Sequence, residues 1–350
     1  MTEGNQVMDE ALSRLHRTGP EWNGRLSNHG PMVVEAMIRH GRADGVEGWL
    51  DWYETRLDPA PSTSQHIKGG EWTDALGDPS RLGDWAEFFD NELAEHRWLD
   101  VLTIWWPRLL PGLAASATHS VIRVGHAVEA LRDQGMSQTR LAELSQALAY
   151  WAGRWQPIPN SAPASGSLEI AQALESLPAL GGKQTAFPDL LALLGSDARW
   201  PDAAAALQPN PIPSAAHSQL VRLVTAATLH YRTHAHGSPI MLVHAATAPN
   251  AVLRVLPSLH ESLWEPSLQA AWMASAAITM IYNPAAGFDP SQEHSDSLTG
   301  SAADIFALAV DHRDEHVIKL ADTALDVYSW TANPDALAAV RRAARLIKKG

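Results

Sequence analysis

The sequence predicts an all-α protein: an irregular multi-helix single domain with long loops. Three observations carry this. Apolar residues recur at helical spacing over most of the 350 residues. Alternating β-branched runs are nearly absent, and the one short candidate, residues 239–243, does not amount to a strand. Helix-start residues also stand where the periodicity begins. No repeat of fixed period is visible, which argues against a regular solenoid.

In chain order, the periodicity gives helices over 6–16, 31–40 and 46–56, then 82–95, 99–109, 114–134 and 138–155. Gly135 ends one of these, and Ser137-Gln138-Thr139-Arg140 opens the next. The Pro-, Ser- and Gly-rich stretch 156–167 reads as a loop joining two halves. Helices follow over 168–176, 188–194, 218–236, 248–256 and 266–282. An acidic, Ser-rich loop covers about 284–300. The last helices span 302–313, 316–331 and 334–348. The final one opens on Asn333-Pro334-Asp335, which supplies an N-cap, a first-position proline and a first-turn acid.

Composition narrows the function. With no cysteine, disulfides, thiolate metal sites, iron–sulfur clusters and a cysteine nucleophile are excluded. The net charge of −13 disfavours nucleic acid as a partner, because an acidic surface repels phosphates. The one basic cluster, Arg341 to Lys349, lies at the end of the last helix, where it suits the dipole. No apolar run is long enough for a membrane span, and the polar start offers no secretory signal, so a cytoplasmic protein is expected. No dinucleotide fingerprint, P-loop or nucleophile elbow is present. The sequence leaves the oligomeric state open, a homo-oligomer included. Tryptophan is abundant, with 14 residues, ten of them before position 156. Most fit wide gaps between helices, and a few suit the walls of a cavity for a flat aromatic molecule.

Histidine chemistry is the clearest functional signal. His29, His119, His244 and His316 each sit among apolar neighbours, where an imidazole needs a partner or a metal. His16, His40, His66, His96, His217, His260, His294 and His312 have polar or terminal contexts and read as solvated. His119 and His126 share a helix face two turns apart, about 10.5 Å along the axis, so at most one can bind a given metal. Arg123, one turn after His119, is placed to hold an anionic oxygen or to make an ion pair. His316 and Lys319 project side by side at i and i+3. A lysine buried there loses its charge and can add carbon dioxide, presenting a carbamate oxygen as ligand; Lys319 read alone is a surface lysine. His230 and His234 have ligand spacing too, but the helix ends at Gly237-Ser238-Pro239, where histidines suit the dipole.

Six motifs together resemble the questin oxidase-like family over roughly residues 20–345. They are Ser-Asn-His-Gly-Pro-Met (27–32), Trp-Leu-Asp-Trp-Tyr (49–53), Trp-Pro-Arg-Leu-Leu-Pro-Gly (106–112), Thr-His-Ser-Val-Ile-Arg-Val-Gly-His-Ala-Val (118–128), Leu-Val-His-Ala-Ala-Thr-Ala-Pro (242–249) and Asp-Glu-His-Val-Ile-Lys (314–319). The resemblance implies a helical oxygenase acting with dioxygen on a small aromatic polycycle. The substrate class is aromatic polyketides or anthraquinones, and the chemistry is Baeyer–Villiger-type or ring-cleaving. It implies a non-haem Fe(II) held by His29, His119, His244, His316 and a carbamylated Lys319, and so selects His119 over His126. Two departures stand out: Arg123 replaces a histidine of fungal members, and His126 falls where an aromatic hydroxyl is expected.

The expected roles for His126 and Arg123 are therefore catalytic, orienting the substrate's oxygens while nearby tryptophans sandwich its ring. Two rival readings remain at this stage. One is a metal-free Baeyer–Villiger monooxygenase using NADPH, with the histidines as acid, base and oxyanion groups. The other is a helical ligand-binding protein without turnover.

Overall fold

A computed structural model describes residues 3–68, 70–181, 185–210, 212, 214–289 and 300–350. Most of the expected acidic loop (290–299), with His294, lies outside these residues. The fold is all-α: seventeen α-helices are present among the described residues, with one hairpin of two-residue strands. The chain divides into two compact units, residues 1–157 with 254–260, and residues 158–253 with 261–350. The boundary falls at the Pro-rich stretch that reads as a joining loop.

In the first unit, α1 (Glu3–Leu15) leads into β1 (Glu21–Trp22) and β2 (Leu26–Ser27), which pair antiparallel. Asn23 and Gly24 turn the hairpin with φ of 52° and 71°, a conformation that asparagine and glycine adopt most readily. Next come α2 (Gly30–Arg39), α3 (Val46–Tyr53), α4 (Trp72–Ala75), α5 (Leu82–Glu95), α6 (Trp98–Leu109), α7 (His119–Asp133) and α8 (Gln138–Gly153). Helices α5 and α7 pack on α8, and α1 and α7 on α2. Ser137 caps α8 by accepting from Arg140 N at 3.1 Å.

Tryptophans fill this unit. Trp85, Trp105, Trp106 and Trp151 are fully buried. Trp105 meets Trp72, Trp85, Phe88 and Phe89 edge-on, with ring centroids 5.0–5.7 Å apart. The indole N–H groups of Trp85 and Trp151 donate to the carbonyls of Ala75 and Gly112 at 3.0 and 3.1 Å. These rings pack on one another, as gap-fillers do.

The periodicity places a helix over 114–134, but α7 begins at His119. Residues Ser116, Ala117 and Thr118 are all left-handed, with φ of 48°, 54° and 71°. No glycine announces this turn, and for residues with a Cβ it costs about 1–2 kcal/mol each.

The second unit contains α9 (Ile170–Glu175), α10 (Phe187–Ser196), α11 (Trp200–Ala205), α12 (Ala215–His234), α13 (His244–Val255), whose last two residues count with the first unit, and α14 (Trp264–Tyr282). It ends with α15 (Ala302–His312), α16 (Glu315–Thr331) and α17 (Pro334–Leu346). Helix α12 packs on α9, α14 and α17, and α16 lies against α15 and α17. Ser301 and Asp304 form a capping box on α15, and Asn333 caps α17 by accepting from Asp335 N at 3.0 Å. No helix among the described residues is long and apolar enough to cross a membrane.

Candidate functional site

Of the five predicted ligands, His29 and His119 belong to the first unit, and His244, His316 and Lys319 to the second.

His29 precedes α2, held by its backbone N–H donating to the Tyr53 hydroxyl at 2.6 Å. Tyr53 is itself fixed by stacking on Trp49, centroids 4.5 Å apart and planes 15° from parallel. His119 opens α7, and its Nδ1 lies 2.5 Å from the carbonyl oxygen of Ser116. A carbonyl can only accept, so Nδ1 carries the proton and Nε2 keeps its lone pair. The left-handed run at 116–118 brings that carbonyl to the ring's Nδ1. This is strain spent on aiming one imidazole. The two Nε2 atoms of His29 and His119 are 2.8 Å apart, and both rings are buried. Such a pair either shares one proton or presents two lone pairs to one small cation. Fixing Nδ1 on a backbone carbonyl is the outer support that metal-binding histidines commonly have.

In the second unit, α16 starts on Asp314, whose Oδ1 accepts from the backbone N–H groups of His316 and Val317 at 2.9 and 3.3 Å. Burial pushes the Asp314 carboxyl up, but His316 and these N–H groups outweigh it and hold the carboxyl below its ordinary range. His316 Nδ1 lies 3.5 Å from Asp314 Oδ1. The His244 ring is fully buried at the start of α13 and lies over His316, centroids 5.5 Å apart and planes 28° from parallel. Lys319 is 1% exposed, and its Nζ makes no hydrogen bond among the described residues. Burial lowers its pKa to about 7, against the pull of Glu315 and Asp314. A fully buried amine without a partner is costly unless something else meets it. The first unit thus contributes the His29–His119 pair and the second His244, His316 and Lys319, and imidazole nitrogens are donors that suit iron, zinc or copper.

On α7, Arg123 grips Glu143 of α8 through Nε–Oε1 and Nη2–Oε2 bonds of 2.6 and 2.8 Å. His16 Nε2 adds a contact of 2.9 Å to Glu143 Oε2. Burial pushes the Glu143 carboxyl up, and Arg123 and His16 more than offset that and depress it. Of the two options for Arg123, the ion pair is therefore realised, while its Nη1 is buried without a hydrogen-bond partner among the described residues. His126 Nδ1 lies 2.6 Å from Glu35 Oε2 and 3.5 Å from Arg254 Nη1.

Other histidines separate cleanly. The rings of His230 and His234 stack 3.8 Å apart, and His230 Nε2 bonds Asn283 Oδ1 at 2.8 Å. Burial drops His230 to about 4. His312, expected to be solvated, is buried with Nε2 3.2 Å from the Ile347 carbonyl. Its position on the buried side of α15 outweighs its polar neighbours in sequence. His16 likewise departs from a solvated reading through Glu143. Sequence gives no hint of Glu143 or Ser116 as partners. Glu35 does carry a signal, as the one charged residue in the apolar run Val33–Ile38.

The model of one protein family, described as questin oxidase-like, matches residues 51–324. His119, His244, His316 and Lys319 fall inside that span, and His29 precedes it. No curated protein shows a match to the chain.

Proposed function

We propose a function from one premise: the chain belongs to the questin oxidase-like family. The family makes it an oxidoreductase. Our reading is an iron-dependent oxygenase that takes a hydroxylated aromatic polycycle of the polyketide or anthraquinone class. The oxygen is inserted beside a ring carbonyl, or the adjacent carbon–carbon bond is cleaved.

His29, His119, His244 and His316 would hold the ion, with Lys319 as a carbamate. When bound, ferrous iron supplies the means for dioxygen to react with an electron-rich ring, which spin otherwise forbids. The observation that carries this reading is the buried His29–His119 pair, Nε2 to Nε2 at 2.8 Å, with the His119 tautomer fixed by Ser116. Lys319 supports it independently. A buried neutral amine attacks carbon dioxide, sheds one proton and becomes an anionic oxygen donor. That charge balances the cation, and it gives the Nζ a reason to be buried unpartnered. His126 lies two turns from His119 on the same face of α7, a separation that a linear polycycle can span. We assign it and the unbonded Nη1 of Arg123 to the substrate's oxygens.

The test is iron analysis of protein purified without chelators, comparing wild type with His29→Ala and His244→Ala. Wild type should carry iron and both variants should lose most of it; equal metal in all three overturns the site. Dioxygen uptake with a hydroxyanthraquinone, in the absence of NADPH, should follow the iron content.

A further inference from the structure

Glu35 sits in the middle of α2 between Val34 and Ala36, 2% exposed, where a carboxylate is costly without a task. Its Oε2 lies 2.6 Å from His126 Nδ1, and its Oε1 has no hydrogen-bond partner among the described residues. A carboxylate only accepts, so the His126 proton resides on Nδ1 and the lone pair on Nε2. Arg254 Nη1, at 3.5 Å from Nδ1, places a cation beside the pair. The surrounding charges on α2, α7 and the 254–260 segment are Arg39, Glu129, Asp133 and Arg254. Burial, opposed by Arg254 and Arg39 and reinforced by Glu35 and Asp133, lifts the Glu129 carboxyl to about 7.

We infer that Glu35 is a positioning residue that makes His126 the base for the substrate's phenolic hydroxyl. The inference rests on the proposed function, because it takes the hydroxylated polycycle as substrate. The step is a single proton transfer. The phenolic O–H bond breaks, an N–H bond forms at His126 Nε2, and the imidazolium is balanced by the Glu35 carboxylate. The product is a phenolate whose ring is electron-rich enough to react with dioxygen. A carboxylate–imidazole pair of this kind sets tautomer and orientation without itself taking the proton.

The probe is 1,8-dihydroxyanthraquinone, added without oxygen to full-length, iron-containing protein at fixed neutral pH. Ionisation of this probe moves its absorption to longer wavelength. Wild type should bind it as the phenolate. Glu35→Gln should keep its iron, bind the probe with at least tenfold less of the phenolate band, and lose roughly 10²-fold in kcat for dioxygen uptake. Glu35→Asp should restore part of the band, and the Glu35→Gln/His126→Gln double variant should be no worse than His126→Gln alone. Glu35→Gln with an undiminished band overturns the assignment and leaves the proposed function standing. Loss of iron or of folding in Glu35→Gln, not relieved in Glu35→Asp, overturns it too, by making Glu35 structural. Wild-type protein that holds iron yet neither binds the probe nor takes up dioxygen with it overturns the proposed function, and this inference with it.

Discussion

Replacing Arg123 by methionine would remove a cation from a pair in which both side chains are 4% exposed. Glu143 would lose two charge-assisted hydrogen bonds, of 2.6 and 2.8 Å, and keep only His16 at 2.9 Å. Removing one partner of a buried pair costs about 3–5 kcal/mol, and the surviving histidine argues for the lower end. For a unit of this size each kcal/mol is worth about 2–4 °C, so melting should fall by roughly 6–12 °C. Ten of the 14 tryptophans precede residue 156, so intrinsic fluorescence reports mainly the first unit. The loss should depend on pH. The Glu143 carboxyl is depressed in the fold, so its stabilisation is present above the unfolded carboxylate range and vanishes as pH falls through the folded value. The gap between wild type and variant should therefore be widest near neutrality and close in acid. Adding Glu143→Leu should recover most of the loss by removing the stranded charge. If Arg123→Met melts with wild type while losing affinity for a hydroxyanthraquinone, the ion pair is not what the residue is for, and the reasoning from burial fails.

Lys319→Met should abolish iron retention and, in chelator-treated protein, raise the melting temperature at pH 7. Its amine is lowered to about 7 in the fold, so between that value and about 10.5 the unfolded chain binds the extra proton and stability rises with pH. The chelated wild type should follow that slope, and the variant should show it much reduced. A variant that melts below wild type in chelator would contradict this. Ala117→Gly should leave stability unchanged or raise it by about 0.5–1 kcal/mol, because φ of 54° suits glycine; Ala117→Val should destabilise. Urea titration of the two would show whether the turn is strained as described. Trp105→Ala, which empties the middle of an aromatic cluster, should cost about 3–5 kcal/mol without altering metal content per folded molecule.

Much of the fold was legible because its helices announce their starts. Ser137 and Asn333 cap as their sequence contexts suggest, and the 3.6-residue rhythm places most long helices to within a few residues. The misreadings have physical causes. Strands of two residues cannot display a period, so the 21–27 hairpin is silent in sequence. A left-handed run built from Ser116, Ala117 and Thr118 looks helical, because its composition is. Helix α13 starts at His244 rather than 248 and carries Pro249 inside it, where a proline ordinarily suggests a start. Apolar context picked out His29, His119, His244 and His316 for the candidate site. It could not reveal Glu143 or Ser116, since a partner brought close by folding leaves no local trace. Lys319 is the reverse case: its neighbours in sequence leave open a surface position, and only packing shows it enclosed.

The start of α16 carries an implication for how long a cation would be retained. His316 and Lys319 both hang on a helix whose first turn is secured by a single aspartate, behind the left-handed Arg313. Unwinding of that turn would carry off the imidazole and loosen the amine in one event, so the two donors cannot be relinquished separately. Loss of such a cap costs about 1 kcal/mol, enough to make the frayed form roughly fivefold more frequent. Asp314, though itself no ligand, would then set the off-rate of whatever ion that helix helps to grasp.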